Sequence, residues 1–254
     1  MRSTDWDKIA PEYFKIIDSP FSKGVKNPIF SLVRKVGNLE RKSVLEIGCG
    51  TGTLVPFLSK NFKRVVATDI SKKMVEIAKE KNSSLENVEF KVMDMLNITR
   101  LRRKFDVIVS VNSLLMPNIP KVNSVLKKVH KLLKRNGVFV AIMPSMDALI
   151  YQAMITYDKE FEKRHSRRKA RLVTSRIISK RHHDFCYGFF NVGGLQKHYY
   201  GFELDYRLKK AGFKDFRIGK VHYPWTMMGC EPNPKRFTGG IYEEIWDWTV
   251  YAVK

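Results

Sequence analysis

Short apolar runs alternate along the amino-terminal part of the chain with segments whose apolar residues recur at helical spacing. From these runs we predict strands at 44–47, 65–69, 88–92, 105–111 and 138–143. Helices are predicted between them, and Ser71 is a suitable cap for the one over 72–81. Asn136-Gly137 is expected to end the helix over 122–133. Strands that alternate with helices imply a parallel sheet with right-handed crossovers, so the fold class is α/β.

Two helical segments are predicted before the first strand. Residues Thr4–Phe21 indicate a helix and a loop, because Trp6, Ile9 and Tyr13 fall at helical spacing. Residues Pro28–Val36 indicate a second helix, which Gly37 ends.

Three glycines at alternate positions follow the first predicted strand. Glycine lets the backbone turn tightly and approach a ligand closely, and the helix that follows offers free N–H groups. A dinucleotide fingerprint has the spacing G-x-G-x-x-G, whereas this chain has Gly48-x-Gly50-x-Gly52 with Glu46 just before the turn. Asp69 ends the second apolar run, where a carboxylate could accept hydrogen bonds from two ribose hydroxyls.

This combination resembles the class I S-adenosylmethionine (SAM)-dependent methyltransferases, in particular the small-molecule methyltransferases of types 11 and 25. The resemblance covers Val44–Met143. It implies a Rossmann-like seven-stranded sheet, mostly parallel with an antiparallel C-terminal hairpin and flanked by helices. Residues 200–213 then resemble the last helix, and 216–223 and 247–253 resemble the hairpin strands. The resemblance also implies SAM as cofactor, bound by Tyr13, Glu46, Gly48, Cys49, Gly50, Gly52, Asp69, Ile70, Met74, Asp94, Met95, Ser110 and Asn112.

Three of these residues have an alternative role. Tyr13 could cover the cofactor or simply pack on the domain. Asp94 could accept a hydrogen bond from the adenine amino group or cap a turn at the end of its strand. Asn112 could bind SAM or substrate, or cap the next helix.

The segment that follows the fourth strand should lie beside the sulfonium and indicate the methyltransferase subtype. It has no Asn/Asp-Pro-Pro-Tyr element of the kind that methylators of nucleobase amino groups use. It also has no cysteine for a covalent attack on a pyrimidine. Residues 112–116 instead resemble the apolar segment of small-molecule methyltransferases.

An insert over 145–199 separates the fifth strand from the last helix and resembles a substrate lid with both helix and hairpin. Apolar residues at helical spacing predict its first helix: Leu149, Ala153, Met154, Tyr157 and Phe161. A basic stretch, Lys163–Arg181, follows, and residues 185–200 predict a β-hairpin. The basic stretch could bind an anionic metabolite, a lipid head group or RNA, or it could be the solvated face of a lid helix.

The reaction that the resemblance implies is an in-line methyl transfer, in which the enzyme chiefly aligns the acceptor and excludes water. A hydroxyl acceptor would need a general base, for which His198, His183 and Tyr199 are candidates. His182-His183-Asp184 has no established metal spacing, and no metal is expected.

The composition favours one α/β domain over 1–254, with an N-terminal helical cap over 1–37. Three distant cysteines, no signal peptide and no membrane-spanning run indicate a cytoplasmic protein. The formal net charge of +22 indicates an anionic partner or a lysine-rich solvated surface. We expect a methyltransferase acting on a small-molecule or lipid-like, possibly anionic acceptor. The alternatives are an RNA methyltransferase that uses the basic stretch and a non-catalytic SAM-binding protein; the sequence does not predict the oligomeric state.

Overall fold

The computed structural model describes residues 3–12, 19–179, 183–191, 194–225 and 244–254. In chain order, the strands of these ranges are β1 (Ser43–Ile47), β2 (Arg64–Asp69), β3 (Val88–Val92), β4 (Phe105–Val111), β5 (Leu133–Met143), β6 (His183–Asp184), β7 (Phe189–Asn191), β8 (Leu195–Lys197), β9 (Asp215–Tyr223) and β10 (Ile245–Val253). The α-helices are α1 (Ser3–Ile9), α2 (Ile29–Arg34), α3 (Val55–Asn61), α4 (Lys72–Lys81), α5 (Ile119–Leu132), α6 (Met146–Arg164), α7 (Arg167–Ser179) and α8 (Gly201–Ala211).

Within the described ranges, seven strands form one twisted sheet in the order β3-β2-β1-β4-β5-β10-β9. The first five are parallel, and β10 runs antiparallel to both β5 and β9. This is the predicted fold: a mostly parallel Rossmann-like sheet closed by an antiparallel C-terminal pair. Its order reverses beside β1, so the carboxyl ends of β1 and β4 flank the crevice where open α/β sheets bind ligands.

Apolar cores cover both faces of the sheet. On one face, α5 packs on β5 and α8 packs on α5 and β9, and Phe105, Phe139 and Phe213 lie in this core. On the other face, Ile29 and Val33 of α2 and Leu58 of α3 pack against the central strands. The continuous apolar sequence of the central strands follows from burial on both faces.

The prediction that Asn136-Gly137 ends the fifth predicted helix is wrong. Helix α5 ends at Leu132 because Leu133 adopts an extended conformation and starts β5. Asn136 is left-handed, with φ of 59°, inside the irregular first part of β5. A β-carbon on Gly137 would lie 2.9 Å from the carbonyl oxygen of Lys134, so the glycine permits this bend within the strand.

The insert consists of α6, α7 and a small sheet in the order β6-β7-β8. Strands β7 and β8 are the predicted hairpin. Helix α6 is confirmed. Its residues Ala148 and Ile155 pack on a cluster with Trp225, whereas Met154 is 60% exposed and Phe161 is 38% exposed. Within the described ranges, every helix is too short or too polar to cross a membrane.

Candidate active site

A cavity opens at the carboxyl ends of β1, β2 and β4, where the sheet order reverses. Most of its wall comes from the loops after these strands and after β3, with contributions from α1 and from the insert. It is lined by Trp6, Ile47, Gly48, Gly50, Asp69, Ile70, Met74, Met93, Asp94, Met95, Leu96, Val111, Asn112, Ser113, Leu115, Met116, Lys121 and Gln196. Eight of the predicted cofactor residues are among them: Gly48, Gly50, Asp69, Ile70, Met74, Asp94, Met95 and Asn112.

Gly52 and Gly50 of the loop are required for different reasons. A β-carbon on Gly52 would lie 2.7 Å from the Asn82 side chain and 3.0 Å from that of Ala78, so Gly52 permits close packing on α4. Gly50 has φ of 53°, and among the described residues a β-carbon there would meet no further atom within 4 Å. The backbone at Gly50 is therefore open on the side of the cavity, which it lines.

The carboxylate of Asp69 holds this loop in place. It accepts a hydrogen bond from the N–H of Gly50 over 2.9 Å and another from the N–H of Ser71 over 2.9 Å. Burial raises the pKa of Asp69, and these backbone hydrogen bonds act in the opposite direction. Each carboxylate oxygen has a further lone pair, so the group can also accept from a ligand in the cavity.

Glu46 lies behind the cavity wall rather than on its surface. It is buried in β1, and the atom Oε2 has no hydrogen-bond partner among the described residues. Burial, with a smaller contribution from the charge of Asp69, raises its pKa to about 8. The neighbouring Cys49 is buried as well, and burial raises the pKa of its thiol.

The carboxyl end of β3 supplies an acidic residue and an apolar wall. Asp94 caps the 3₁₀ helix Met95–Leu101, because its side chain accepts from the N–H of Leu96 over 2.8 Å. It also lines the cavity, so the capping role and the predicted adenine contact are compatible. Met93, Met95 and Leu96 lie beside it and suit a flat apolar ring.

At the end of β4, Ser110 lies behind the wall and Ser113 lies on it. Their Oγ atoms are 2.6 Å apart, and Ser113 Oγ donates to the carbonyl oxygen of Ile47 over 2.8 Å. Asn112 does not cap the next helix, contrary to one alternative, since Asn118 accepts from the N–H of Lys121 at the start of α5. Asn112 instead lines the cavity.

Two of the three catalytic candidates of the insert, Tyr199 and His198, do not line the cavity. Tyr199 is completely buried and donates its hydroxyl to the carbonyl oxygen of Leu114 over 2.7 Å. Burial raises the pKa of Tyr199, which opposes a role as base. The ring of His198 packs edge-on against Phe190. The side chain of His183 lies outside the described part of the chain.

Sequence reasoning missed two polar residues of the wall. Gln196 comes from the insert and Lys121 from the first turn of α5, where no motif marks either residue. Trp6, the first residue of the segment that the resemblance implied as a cover, lines the cavity from α1. Tyr13 of that segment lies outside the described residues. Cys49, Gly52, Glu46 and Ser110 support the wall from behind.

The family model of a methyltransferase domain matches residues 44–137. These residues hold β1 to β4, the glycine loop and the acidic residues of the cavity. This part of the chain is therefore similar to a methyltransferase domain, and the sheet that it begins has the class I methyltransferase fold. Of the residues on which the resemblance was based, Gly48, Gly50 and Asp69 line the cavity, whereas Glu46 and Gly52 lie behind it.

Two curated relatives are similar over part of the chain. A demethylmenaquinone methyltransferase of Staphylococcus epidermidis is 31% identical over 116 residues, which cover 44% of this chain and 47% of the relative. A ubiquinone biosynthesis O-methyltransferase of Coxiella burnetii is 26% identical over 129 residues, which cover 49% of this chain and 54% of the relative. The match thus spans about half the length of these curated relatives.

The fold is also that of solved methyltransferase structures. An N-methyltransferase from Bradyrhizobium japonicum, solved in complex with S-adenosyl-L-homocysteine (SAH), superposes with a TM-score of 0.59 at 12% identity. The superposition covers 99% of this chain and 96% of that chain. At this identity the likeness shows the fold of the methyltransferase domain and not its substrate.

Proposed function

We propose that this protein is a SAM-dependent methyltransferase that acts on a small-molecule or lipid-like acceptor. One observation carries the proposal: the open backbone of Gly50 lies at the cavity beside the carboxylate of Asp69, which holds it in place. An adenosyl ligand needs a glycine turn that it can approach closely and an acceptor group for its ribose hydroxyls.

The cavity wall fits the parts of SAM. Asp69 would accept from the ribose hydroxyls, Ile70, Met74, Met95 and Leu96 would enclose the adenine, and Asp94 would accept from its amino group. The loop at Gly48 and Gly50 would bind the methionyl part. When bound, SAM supplies a methyl group on a positively charged sulfonium, which is lost by in-line displacement.

The remaining wall supports an acceptor site next to Asn112. Leu115 and Met116 are apolar, and Gln196 reaches this end of the cavity from the hairpin of the insert. The backbone N–H of Lys197 donates to the carbonyl oxygen of Leu115 over 2.8 Å, which ties the hairpin to the wall. We propose that the insert over 145–199 covers the acceptor, orients it and excludes water.

The small-molecule function is favoured over RNA methylation by the position of the basic residues. Arg167, Arg168 and Arg171 are exposed on α7 and do not line the cavity. Lys121 is the cation on the wall within the described ranges. The charge of α7 therefore acts outside the cavity, as the solvated face of a lid helix would.

Isothermal titration calorimetry with SAM and SAH tests the cofactor, and methyl-labelled SAM with fractionated cell extract tests the acceptor. We expect micromolar binding of both ligands and label in the small-molecule or lipid fraction. Absence of SAM binding would favour the non-catalytic alternative. Label in the RNA fraction, with binding that weakens steeply as salt is added, would favour the RNA methyltransferase.

A further inference from the structure

We infer that Asp247 positions the side chain of Asn112 so that its amide oxygen accepts a hydrogen bond from the group that receives the methyl. The inference rests on the proposed function and narrows it: the acceptor atom then carries a hydrogen and belongs to an amine or a hydroxyl.

The first observation is the backbone of Asn112. Its N–H donates to the carbonyl oxygen of Ile142 over 2.9 Å, which continues the pairing of β4 with β5 by one residue. Its φ is 44°, in the left-handed region, which asparagine adopts more readily than most residues that carry a β-carbon. This backbone conformation sets the direction of the side chain at the end of the central strand.

The second observation is a half-buried carboxylate that reaches Asn112 from far along the chain. Asp247 lies on β10 and accepts from Nδ2 of Asn112 over 3.1 Å. It also accepts from the hydroxyl of Tyr223 over 2.7 Å and from the N–H of Ser145 over 3.3 Å. All three partners donate, as an ionised carboxylate requires.

These contacts determine the orientation of the Asn112 amide. An ionised carboxylate only accepts, so the NH₂ end of the amide faces Asp247 and the oxygen faces the other way. That oxygen, Oδ1, is buried and has no hydrogen-bond partner within the described ranges. Leaving such an atom unpaired costs about 1–3 kcal/mol, which a ligand donor would recover. Asn112 lines the cavity, and the inference is that a bound acceptor places its N–H or O–H against this oxygen.

An amide oxygen in this position aligns a nucleophile without acting as its base. It accepts a hydrogen bond from the N–H or O–H of the acceptor and leaves the lone pair of that atom to face the methyl group. The lone pair forms the new bond to the methyl carbon, the carbon–sulfur bond breaks, and its electron pair remains on sulfur. The acceptor's proton leaves to water, because the amide oxygen is too weak a base to retain it.

Asp247 also connects this alignment to the insert. Ser145, whose N–H it accepts, caps α6 by accepting from the N–H of Ala148 over 3.0 Å. One carboxylate therefore joins the end of β4, the start of the insert and the C-terminal hairpin. The position of the insert and the orientation of Asn112 therefore both depend on the carboxylate of Asp247.

Replacing Asn112 by glycine tests the inference, since glycine accepts the left-handed backbone and removes only the amide. Asn136→Gly is the matched control: Asn136 has φ of 59° and is exposed at the start of β5, and it does not line the cavity. We would measure the Kd of SAH by calorimetry and the rate of methyl transfer from labelled SAM to a saturating small-molecule extract. Asn112→Gly should slow transfer roughly 10- to 100-fold, because misalignment acts on the chemical step, and should leave the Kd of SAH within about twofold.

The variant Asp247→Asn provides a second test, whose expected result differs from that of a purely structural role for Asp247. Its amide can donate to Oδ1 of Asn112 and so turn that side chain around. Transfer should fall to the level of Asn112→Gly with little change in Tm, and the double variant Asn112→Gly/Asp247→Asn should lose nothing more.

Two results would overturn the inference while the proposed function stands. The first is an affinity of Asn112→Gly for SAH that falls by the same factor as its rate of transfer, since the amide would then bind the cofactor. The other is wild-type transfer in Asn112→Gly. If the wild-type protein itself neither bound SAH nor transferred label, the proposed function would fail, and the inference would fail with it.

Discussion

The side chain of Ser113 lies so close to the α-carbon of Gly48 that a β-carbon on residue 48 would overlap it. Ser113 is itself fixed, because its hydroxyl donates to the carbonyl oxygen of Ile47 over 2.8 Å. The ends of β1 and β4 can therefore approach each other closely, because Ser113 of one packs where Gly48 of the other has no side chain. This contact sets the spacing of the cavity floor.

Gly48→Ala should destabilise the protein by about 2–4 kcal/mol, because the new methyl group overlaps Ser113 and φ of 70° is strained for alanine. A second substitution, Ser113→Gly, should recover the part that comes from overlap and leave the part that comes from strain. Urea denaturation of the single and double variants would measure the coupling. Strictly additive losses would mean that the two residues do not touch.

Gly50→Val should abolish SAM binding, because its side chain would enter the open side of the loop. Gly37→Val is a matched control, since Gly37 also has a positive φ and a β-carbon there also meets no atom within 4 Å in the described part of the chain. Both variants should lose a similar amount of stability. Only Gly50→Val should raise the Kd of SAH, by more than about 100-fold, because the ligand loses its close contact with the loop. Equal affinities by calorimetry would refute the loop as the cofactor site.

Asp69→Ala should weaken the binding of both SAM and SAH by roughly 10- to 100-fold, because one or two hydrogen bonds to a charged group are lost. The rate at saturating SAM should change little, since the lost contacts are to the sugar. Asp106→Ala is a suitable control: Asp106 also accepts a backbone N–H, that of Ser43 over 2.8 Å, but at the amino ends of β1 and β4, away from the cavity. An effect of Asp69→Ala on turnover alone would assign Asp69 another role.

Glu46→Gln should change how stability depends on pH. The pKa of Glu46 is raised from 4.5 to about 8 in the folded protein, so the folded state holds a proton that the unfolded state has released between these values. This stabilising contribution is fully present below pH 4.5 and is lost as the pH rises through about 8. Over this pH range, the Tm of the wild type should therefore fall more steeply than the Tm of the variant. Parallel curves would show that the carboxyl group is already ionised.

Charge reversal on α7 should separate the two substrate classes. In the variant Arg167→Glu/Arg168→Glu/Arg171→Glu, the Kd of SAH and the transfer of label to the small-molecule fraction should stay within about twofold of wild type, because exposed charges act weakly at a distance. Binding to transfer RNA in a filter assay should fall sharply. Loss of transfer in step with RNA binding would instead support the RNA methyltransferase.

Much of the fold could be predicted from the sequence because each central strand is buried on both faces and is therefore a continuous apolar run. Ser71 illustrates the local signals that hold: it caps α4 as predicted, accepting from the N–H of Met74 over 3.1 Å. Asn136-Gly137 shows where such signals fail, because the same dipeptide suits a helix end and a bend within a strand. The pairing of β5 with β4 decides between them, and that pairing is not local.

In the candidate site, too, local contacts could be predicted from the sequence and long-range contacts could not. Gly48, Gly50 and Asp69 lie within one strand-turn-helix unit and the strand that follows, so their spacing alone brings them together. The pairing of Asn112 with Asp247 joins residues 135 positions apart. Tyr199 was a reasonable base by residue type, but its burial depends on how the insert folds back on Leu114. Such long-range contacts leave no periodic trace in a single sequence.

The first helix has a consequence for how ligands would enter and leave. The carboxylate of Asp7 accepts from Ser71 Oγ over 2.5 Å and from the N–H of Lys73 over 3.1 Å, and the adjacent Trp6 lines the cavity. These hydrogen bonds thus attach one short helix to Ser71, the residue that caps α4, and hold Trp6 against the cavity. If a ligand leaves the cavity past Trp6, its rate of exchange would depend on how often these hydrogen bonds break, whereas its affinity would depend on the wall.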